Sequence, residues 1–241
     1  MPDPSSPLIA EAFEATGYDN SGWTAQDDAG VAVIDPDYTA TVLHGTQSLR
    51  IKTSVAGNGR VFKDFTAGNE RWAYFLFRPV SVTDAWKIFS FWNSGSEEIC
   101  NIYLLSTNVL RVTHGTITAD TVGTMSDGTT YHVWVHYNNS GDISDVGFST
   151  DGIRPTSGNN FAQVTTGDAI TNATTVVLGG GASNFSEEGL FDRLFVDDVQ
   201  IDDMIAGVAI NIPAGSWLAV GQIQDIAQAM ANDAKIVIRR S

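Results

Sequence analysis

Two carboxylate-bearing segments stand at opposite ends of the chain: Glu11-Ala12-Phe13-Glu14-Ala15-Thr16-Gly17-Tyr18-Asp19, and Leu194-Phe195-Val196-Asp197-Asp198-Val199-Gln200-Ile201-Asp202-Asp203. In the second, strand alternation puts Phe195, Asp197, Val199 and Ile201 on one face, so Asp197 projects where apolar side chains project. A buried carboxylate needs a cation or several hydrogen-bond donors. If the first and last strands pair, Glu14 approaches Asp197 or Asp198, and repulsion between the carboxylates favours a structural calcium ion helped by backbone carbonyls. The alternative is that Asp197 and Asp198 only accept backbone hydrogen bonds at a sheet edge.

Other chemistries find less support. His132 and His136 are four residues apart, the spacing of a helical zinc pair, but Tyr131 to Tyr137 reads as a strand, in which they lie about 13 Å apart. His44 and His114 stand alone and read as satisfied structural residues. Gly181-Ala182-Ser183-Asn184-Phe185 lacks the closing glycine of a nucleophile elbow and precedes no helix. Glu97-Glu98 and Glu187-Glu188 point to opposite faces of any strand, so neither supplies a pair of carboxylates about 5 Å apart across a glycosidic bond. A single cysteine, Cys100, excludes a disulfide framework and multi-cysteine metal sites.

The elements that position these groups belong to a chain of 241 residues with 43% hydrophobic and 17% charged residues, a composition that folds around a core. The formal net charge of −15 works against duplex nucleic acid and anionic membranes, which need clustered Lys and Arg. Residues 50 to 87 alone run against this balance, with Arg50, Lys52, Arg60, Lys63, Arg71, Arg78 and Lys87 alternating with apolar positions. No Lys or Arg precedes Arg50, so no secretory signal is expected, and no apolar run approaches the roughly 18 residues of a membrane span.

Short β-branched and aromatic runs dominate up to residue 202: Ser48 to Thr53, Arg60 to Phe65, Arg71 to Arg78, Trp86 to Trp92, Ile99 to Leu105, Val109 to Thr113, Tyr131 to Tyr137, Val146 to Ser149, Thr175 to Leu178 and Arg193 to Ile201. Turn signals separate them, among them Ser94-Gly95, Asp127-Gly128, Asp151-Gly152 and Gly179-Gly180-Gly181. This pattern predicts an antiparallel sandwich. Trp72 to Phe77 and Trp86 to Trp92 are apolar on both faces, so these strands are central and their outer faces are covered by loops, a ligand or a partner. Residues 203 to 241 read differently: a strand, an amphipathic helix from Gln222 to Asn232, and a second strand. So short a segment cannot sustain its own core and is expected to dock on the sandwich or on a neighbouring copy.

Phe13-Glu14 with Thr16-Gly17-Tyr18-Asp19, then Gly45-Thr46-Gln47-Ser48-Leu49-Arg50-Ile51, Asp127 to Val135, and Phe195-Val196-Asp197-Asp198-Val199 together resemble the laminin-G-like, concanavalin A-like jelly rolls over residues 8 to 202. The resemblance implies an all-β, two-sheet antiparallel jelly roll with an N-terminal arm at 1 to 7 and a C-terminal strand-helix-strand appendage. Carbohydrate-binding jelly rolls of this kind hold a structural calcium between a Phe-Glu and an Asp of the final strand, which implies Glu14 with Asp197 or Asp198. Glucanases and alginate lyases share the fold, but the Glu-x-Asp-x-Glu motif of the former and the Arg, Gln-x-His and Tyr set of the latter are absent, so no enzyme is expected. The resemblance implies a non-enzymatic bacteriophage virion surface protein, a capsid decoration or fibre component, that binds other virion proteins or itself through residues 1 to 7 and 203 to 241. The competing expectation is a carbohydrate-binding module, virion-borne or extracellular, in which Trp72, Trp86 and Trp92 stack against surface glycans. A lyase or glycoside hydrolase of the same fold is the third.

Overall fold

The computed structural model describes residues 6–27, 32–53, 58–165, 171–181 and 187–204, with the backbone of two further strands at 207–212 and 235–240. In chain order the strands are β1 (Ile9–Glu11), β2 (Trp23–Asp27), β3 (Val33–Tyr38), β4 (Ser48–Lys52), β5 (Asn58–Gly68), β6 (Glu70–Ser81), β7 (Trp86–Trp92) and β8 (Glu98–Leu104). They continue with β9 (Val109–His114), β10 (Ile117–Thr124), β11 (Tyr131–Asn138), β12 (Ile143–Ser149), β13 (Phe161–Thr165), β14 (Ala173–Gly181), β15 (Glu188–Asp197), β16 (Gly207–Ile212) and β17 (Lys235–Arg240). Sheet one runs β13-β12-β11-β6-β15-β4-β3, with β1 added to β15; sheet two runs β10-β9-β8-β7-β14-β5-β2. Every pairing in both is antiparallel. The described residues contain no helix, and none is therefore long and apolar enough to cross a membrane.

Period-2 alternation aims one side of each sheet at the other. Phe75, Phe77 and Phe191 of sheet one meet Trp86, Phe89 and Phe91 of sheet two, all fully buried. Phe75 and Phe89 stack across the interface with centroids 5.4 Å apart, and Phe77 and Phe191 lie 5.0 Å apart. Such pairs add about 0.5–1.5 kcal/mol each beyond the area they bury.

A second apolar cluster lies outside this core. Trp72, Tyr74, Leu76, Trp134 and Phe195 project from the outer face of sheet one, and Ile201 and Met204 close over them. The segment after β15 is fastened there by polar contacts: Trp134 Nε1 donates to the Asp202 carbonyl at 3.2 Å, Met204 N to the Gly152 carbonyl at 2.7 Å, and Arg154 N to Asp203 Oδ1 at 2.9 Å. Residues 201 to 204 thus pack on and bond to the outer face of sheet one.

Two local readings change. Gly179-Gly180-Gly181, expected as a turn, continues β14: Gly179 takes φ +78°, and a Cβ there would stand 2.5 Å from the Gly59 carbonyl, so glycine permits close strand approach rather than reversal. In β7, register shifts between Lys87 and Phe89 and between Phe91 and Trp92 bring Trp86 and Ile88 into the core beside Phe89 and Phe91, and leave Trp92 on the outer face with Ser90. The parallel pair β16 and β17 supplies the two strands expected in the appendage. The expected helix at 222 to 232, and residues 1 to 5 of the expected arm, lie outside the described residues.

Candidate functional site

The expected pairing of first and last strands is present, and its register decides which carboxylates meet. Ile9 stands opposite Val196 and Glu11 opposite Leu194, so the chain beyond Glu11 runs toward Asp192 and away from Asp197. Glu14, His44 and Asp192 converge, with ligand atoms all within 4.8 Å of one another. Asp197 lies five residues further along β15, about 17 Å away at the usual rise. The trio of Glu14, Asp197 and Asp198 expected to hold calcium is not assembled, so no calcium chemistry is derived through it. Asp197 instead accepts from the backbone N of Asp198 at 2.8 Å; burial raises its carboxyl above the usual range, with Asp198 adding to the effect.

At Asp192 the partner of β15 changes: β4 pairs Glu188 to Phe191, and β1 pairs Leu194 to Val196. The fully buried Asp192 carboxylate fills the break, accepting from His44 N at 2.9 Å, Ser48 Oγ at 2.9 Å and Arg193 N at 2.8 Å. Burial pushes it up to about 7 against these hydrogen bonds, and the Glu14 charge contributes. Glu14 in turn accepts from Thr46 N at 2.9 Å and Thr46 Oγ1 at 2.6 Å. The loop can wrap this closely because Gly45 adopts φ +68°; a Cβ there would fall 1.6 Å from Glu14 Oε1.

Nearby, Glu11 accepts from Asp19 N at 2.7 Å, Asn20 N at 3.2 Å and Trp23 Nε1 at 2.8 Å. Its burial outweighs these donors and raises its carboxyl above the usual range. Sequence reading missed Glu11, and missed His44 and Asp192 as partners of Glu14. The Phe191-Asp192-Arg193 stretch, a carboxylate between residues of the last strand, was the available signal.

The three tryptophans expected to bind ligand separate into three environments. Trp86 is in the inter-sheet core. Trp72 lies on the outer face of sheet one, stacked on His136 at 3.8 Å with the Arg154 guanidinium 4.4 Å above it, and is 6% exposed. Neither offers a free ring face. His136 is held between Asp145 Oδ2 and Glu70 Oε1, both at 2.9 Å, while His132 is separately bonded to Tyr74 Oη at 2.8 Å, so the two histidines share no site.

Trp92 lies on the outer face of sheet two, where the register aligns one continuous row: Thr24, Phe62, Val177, Ser90, Asn101, Thr113 and Thr118. Their neighbours Val61, Val176, Leu178, Phe89, Phe91, Cys100, Ile102 and Val112 are core residues, so this row points outward. Ser90 Oγ, Asn101 Oδ1 and Trp92 Nε1 are all buried, and none has a hydrogen-bond partner among the described residues. Buried polar groups are ordinarily satisfied, and each orphan costs about 1–3 kcal/mol.

Longer side chains rise around this floor. Phe62 stacks on Trp92 at 6.0 Å, and the Arg60 guanidinium sits 4.8 Å above the Trp92 ring while donating to Gln26 Oε1 at 2.9 and 3.1 Å. Lys87 pairs with Glu98 and lies 5.9 Å from the Tyr103 ring centroid. Arg111 grips Asp120 through two bonds of 2.7 and 2.8 Å, which hold the Asp120 carboxyl below its usual range. The arrangement is a polar floor between aromatic rings and cations, suited to hydrogen-bonding a ligand and packing against its flat faces. On the outer face of sheet one, Ile201 and Met204 close over the apolar cluster instead.

Two antiparallel sheets in this order define a concanavalin A-like jelly-roll sandwich. Solved structures agree. The cellulose induced protein Cip1 matches with a TM-score of 0.60 and 13% identity, over 80% of this chain and 99% of its own. An alginate lyase from Klebsiella pneumoniae matches at 0.52 and 10%, over 74% and 96%. A sialidase matches at 0.53 and 12%, over 74% of this chain but only 18% of the sialidase, so this chain spans under a fifth of that protein. These identities establish a common fold. No protein-family model and no curated protein sequence matches the chain.

Proposed function

We propose that this protein is a non-enzymatic glycan-binding sandwich whose ligand lies across the outer face of sheet two. The observation that carries the reading is that three buried polar atoms without a partner among the described residues, on Ser90, Asn101 and Trp92, fall on neighbouring positions of β7 and β8 on this face, whereas the others, on residues such as Arg71, Trp86 and Ser149, are scattered through the sandwich. Sugar hydroxyls supply both donors and acceptors to such a floor, and ring faces pack on half-buried Phe62 and Tyr103. The neighbours in fold include an alginate lyase and a toxin binding domain described in complex with SialylT, which favours a saccharide over other ligands. Non-catalytic action is favoured because the carboxylates on this face are engaged: Glu98 with Lys87, Asp120 with Arg111, and Asp64 with Thr175 Oγ1 at 2.7 Å.

The setting we propose is a virion surface, with residues 1 to 7 and 203 to 241 anchoring a symmetric oligomer. It rests on the sequence: an acidic chain with one cysteine and an extra segment at each end.

An array of neutral, uronate-containing and sialylated glycans tests the first claim. Selective binding to at least one class is expected; no binding across the array overturns it. Incubating the same polysaccharides with the protein is expected to release no reducing ends or unsaturated products, and release would overturn the non-catalytic reading. Sedimentation of the full chain is expected to give an oligomer, and a monomer at every concentration contradicts the anchoring.

A further inference from the structure

We propose that His132 is the acid-sensitive element of a latch that holds residues 201 to 204 on the outer face of sheet one. Three hydrogen bonds fasten this strap: Met204 N to the Gly152 carbonyl, Arg154 N to Asp203 and Trp134 Nε1 to the Asp202 carbonyl. Gly152, at φ +77°, adjoins the strap and the imidazole at once. A Cβ there would stand 2.6 Å from the Met204 carbonyl oxygen and 3.3 Å from His132 Cε1, so the strap is seated against a titratable ring through a single glycine.

His132 is half-buried, and its Nδ1 shares a hydrogen bond of 2.8 Å with Tyr74 Oη. A neutral ring can accept the phenol proton at that nitrogen, whereas an imidazolium only donates. The titratable and charged groups that face the ring are Tyr74 from β6, Arg193 from β15 and Asp151 from the loop after β12. Its strand neighbours Leu76, Ser149 and Trp134 carry no charge. Arg193 is 5% exposed, so water screens its charge little and a second cation beside it is unfavourable. Burial, then Arg193, hold the His132 pKa below 6.5 against the pull of Asp151. A ring hydrated by displacement of the Gly152–Met204 layer escapes both effects. The open latch therefore binds a proton more readily than the closed one, and acidification shifts the strap toward release, uncovering Trp134, Tyr74 and Phe195. Because β16 begins at Gly207, just beyond Met204, the latch also fixes where the C-terminal segment leaves the sandwich. Any bearing of this on assembly rests on the anchoring proposed above; the latch itself does not.

The test is hydrogen exchange of the full chain at pH 8 and pH 5, corrected for the intrinsic pH dependence of exchange. It follows the Met204 and Arg154 amides and the Trp134 indole, with the core amides of Phe75 and Phe89 as reference. Expected is at least a tenfold loss of protection at pH 5 for the first three groups, with the reference amides unchanged. His132→Gln is expected to keep all three protected at both pH values, because glutamine bonds Tyr74 without titrating. Gly152→Ala drives a methyl group against the Met204 carbonyl and is expected to remove the protection already at pH 8 while the core amides stay protected. Equal protection of the wild type at both pH values, an acid response that survives in His132→Gln, loss at pH 5 that extends equally to Phe75 and Phe89, or full protection in Gly152→Ala would each overturn the latch.

Discussion

Ser90 on β7 and Asn101 on β8 stand directly opposite each other across an antiparallel ladder, and both present a buried polar atom that no described group satisfies. A protein that needed only to fold would place apolar or mutually bonded residues there, since unsatisfied polar groups weaken the folded state. Retaining them favours a ligand that completes their hydrogen bonds, in the usual exchange of stability for function.

Ser90→Ala should therefore stabilise the ligand-free protein, by about 1 kcal/mol, because it removes an orphan hydroxyl and opens almost no cavity. Denaturant unfolding measures this. A loss of about 1 kcal/mol or more would show that the hydroxyl is satisfied and that the floor is ordinary structure.

The strap over sheet one should behave in the opposite way. Ile201 is 3% exposed and caps Trp134 and Tyr74, so Ile201→Ala is expected to destabilise by about 2–4 kcal/mol and to redden the tryptophan fluorescence of the folded protein. A change near zero in both would mean that residues 201 to 204 do not seal that face.

His132 gives a pH test. Its burial, aided by the nearby Arg193 charge and opposed by Asp151, lowers its pKa below the usual 6.5. The unfolded chain then binds more protons near pH 6 than the folded one does, so this residue's contribution is complete above about pH 6.5 and is lost as the pH falls below it. His132→Gln keeps a polar partner for Tyr74 and does not titrate. The difference in stability between wild type and His132→Gln should shrink from pH 8 to pH 5; a difference constant across that range contradicts the shift.

The fold was legible where apolar periodicity was strong. β4, β6, β7, β8, β9 and β11 all occur at the expected runs, because β-branched and aromatic alternation specifies a buried pleated face. β2, β3, β10 and β13 escaped notice for the converse reason: they lie at sheet edges and carry Thr, Asp, Gln and Pro on exposed positions, where burial imposes little pattern. The site was less legible than the fold. Pairing of the ends was foreseeable, but the register that moves Glu14 to Asp192 depends on β4 and β1 sharing one side of β15, a tertiary arrangement that no local pattern encodes. Trp86 and Trp92, both expected to stack on ligand, fall on opposite faces for a similar reason, since simple alternation cannot anticipate two register shifts within seven residues.

Asn101→Leu conserves volume, deletes the amide at the centre of the floor and is expected to leave the sandwich folded. The most direct measurement is the dissociation constant of wild type and Asn101→Leu, by titration calorimetry, for a glycan selected on the array. The account predicts at least a tenfold loss of affinity with unchanged circular dichroism, whereas equal affinity in the two proteins would place the ligand elsewhere and contradict it.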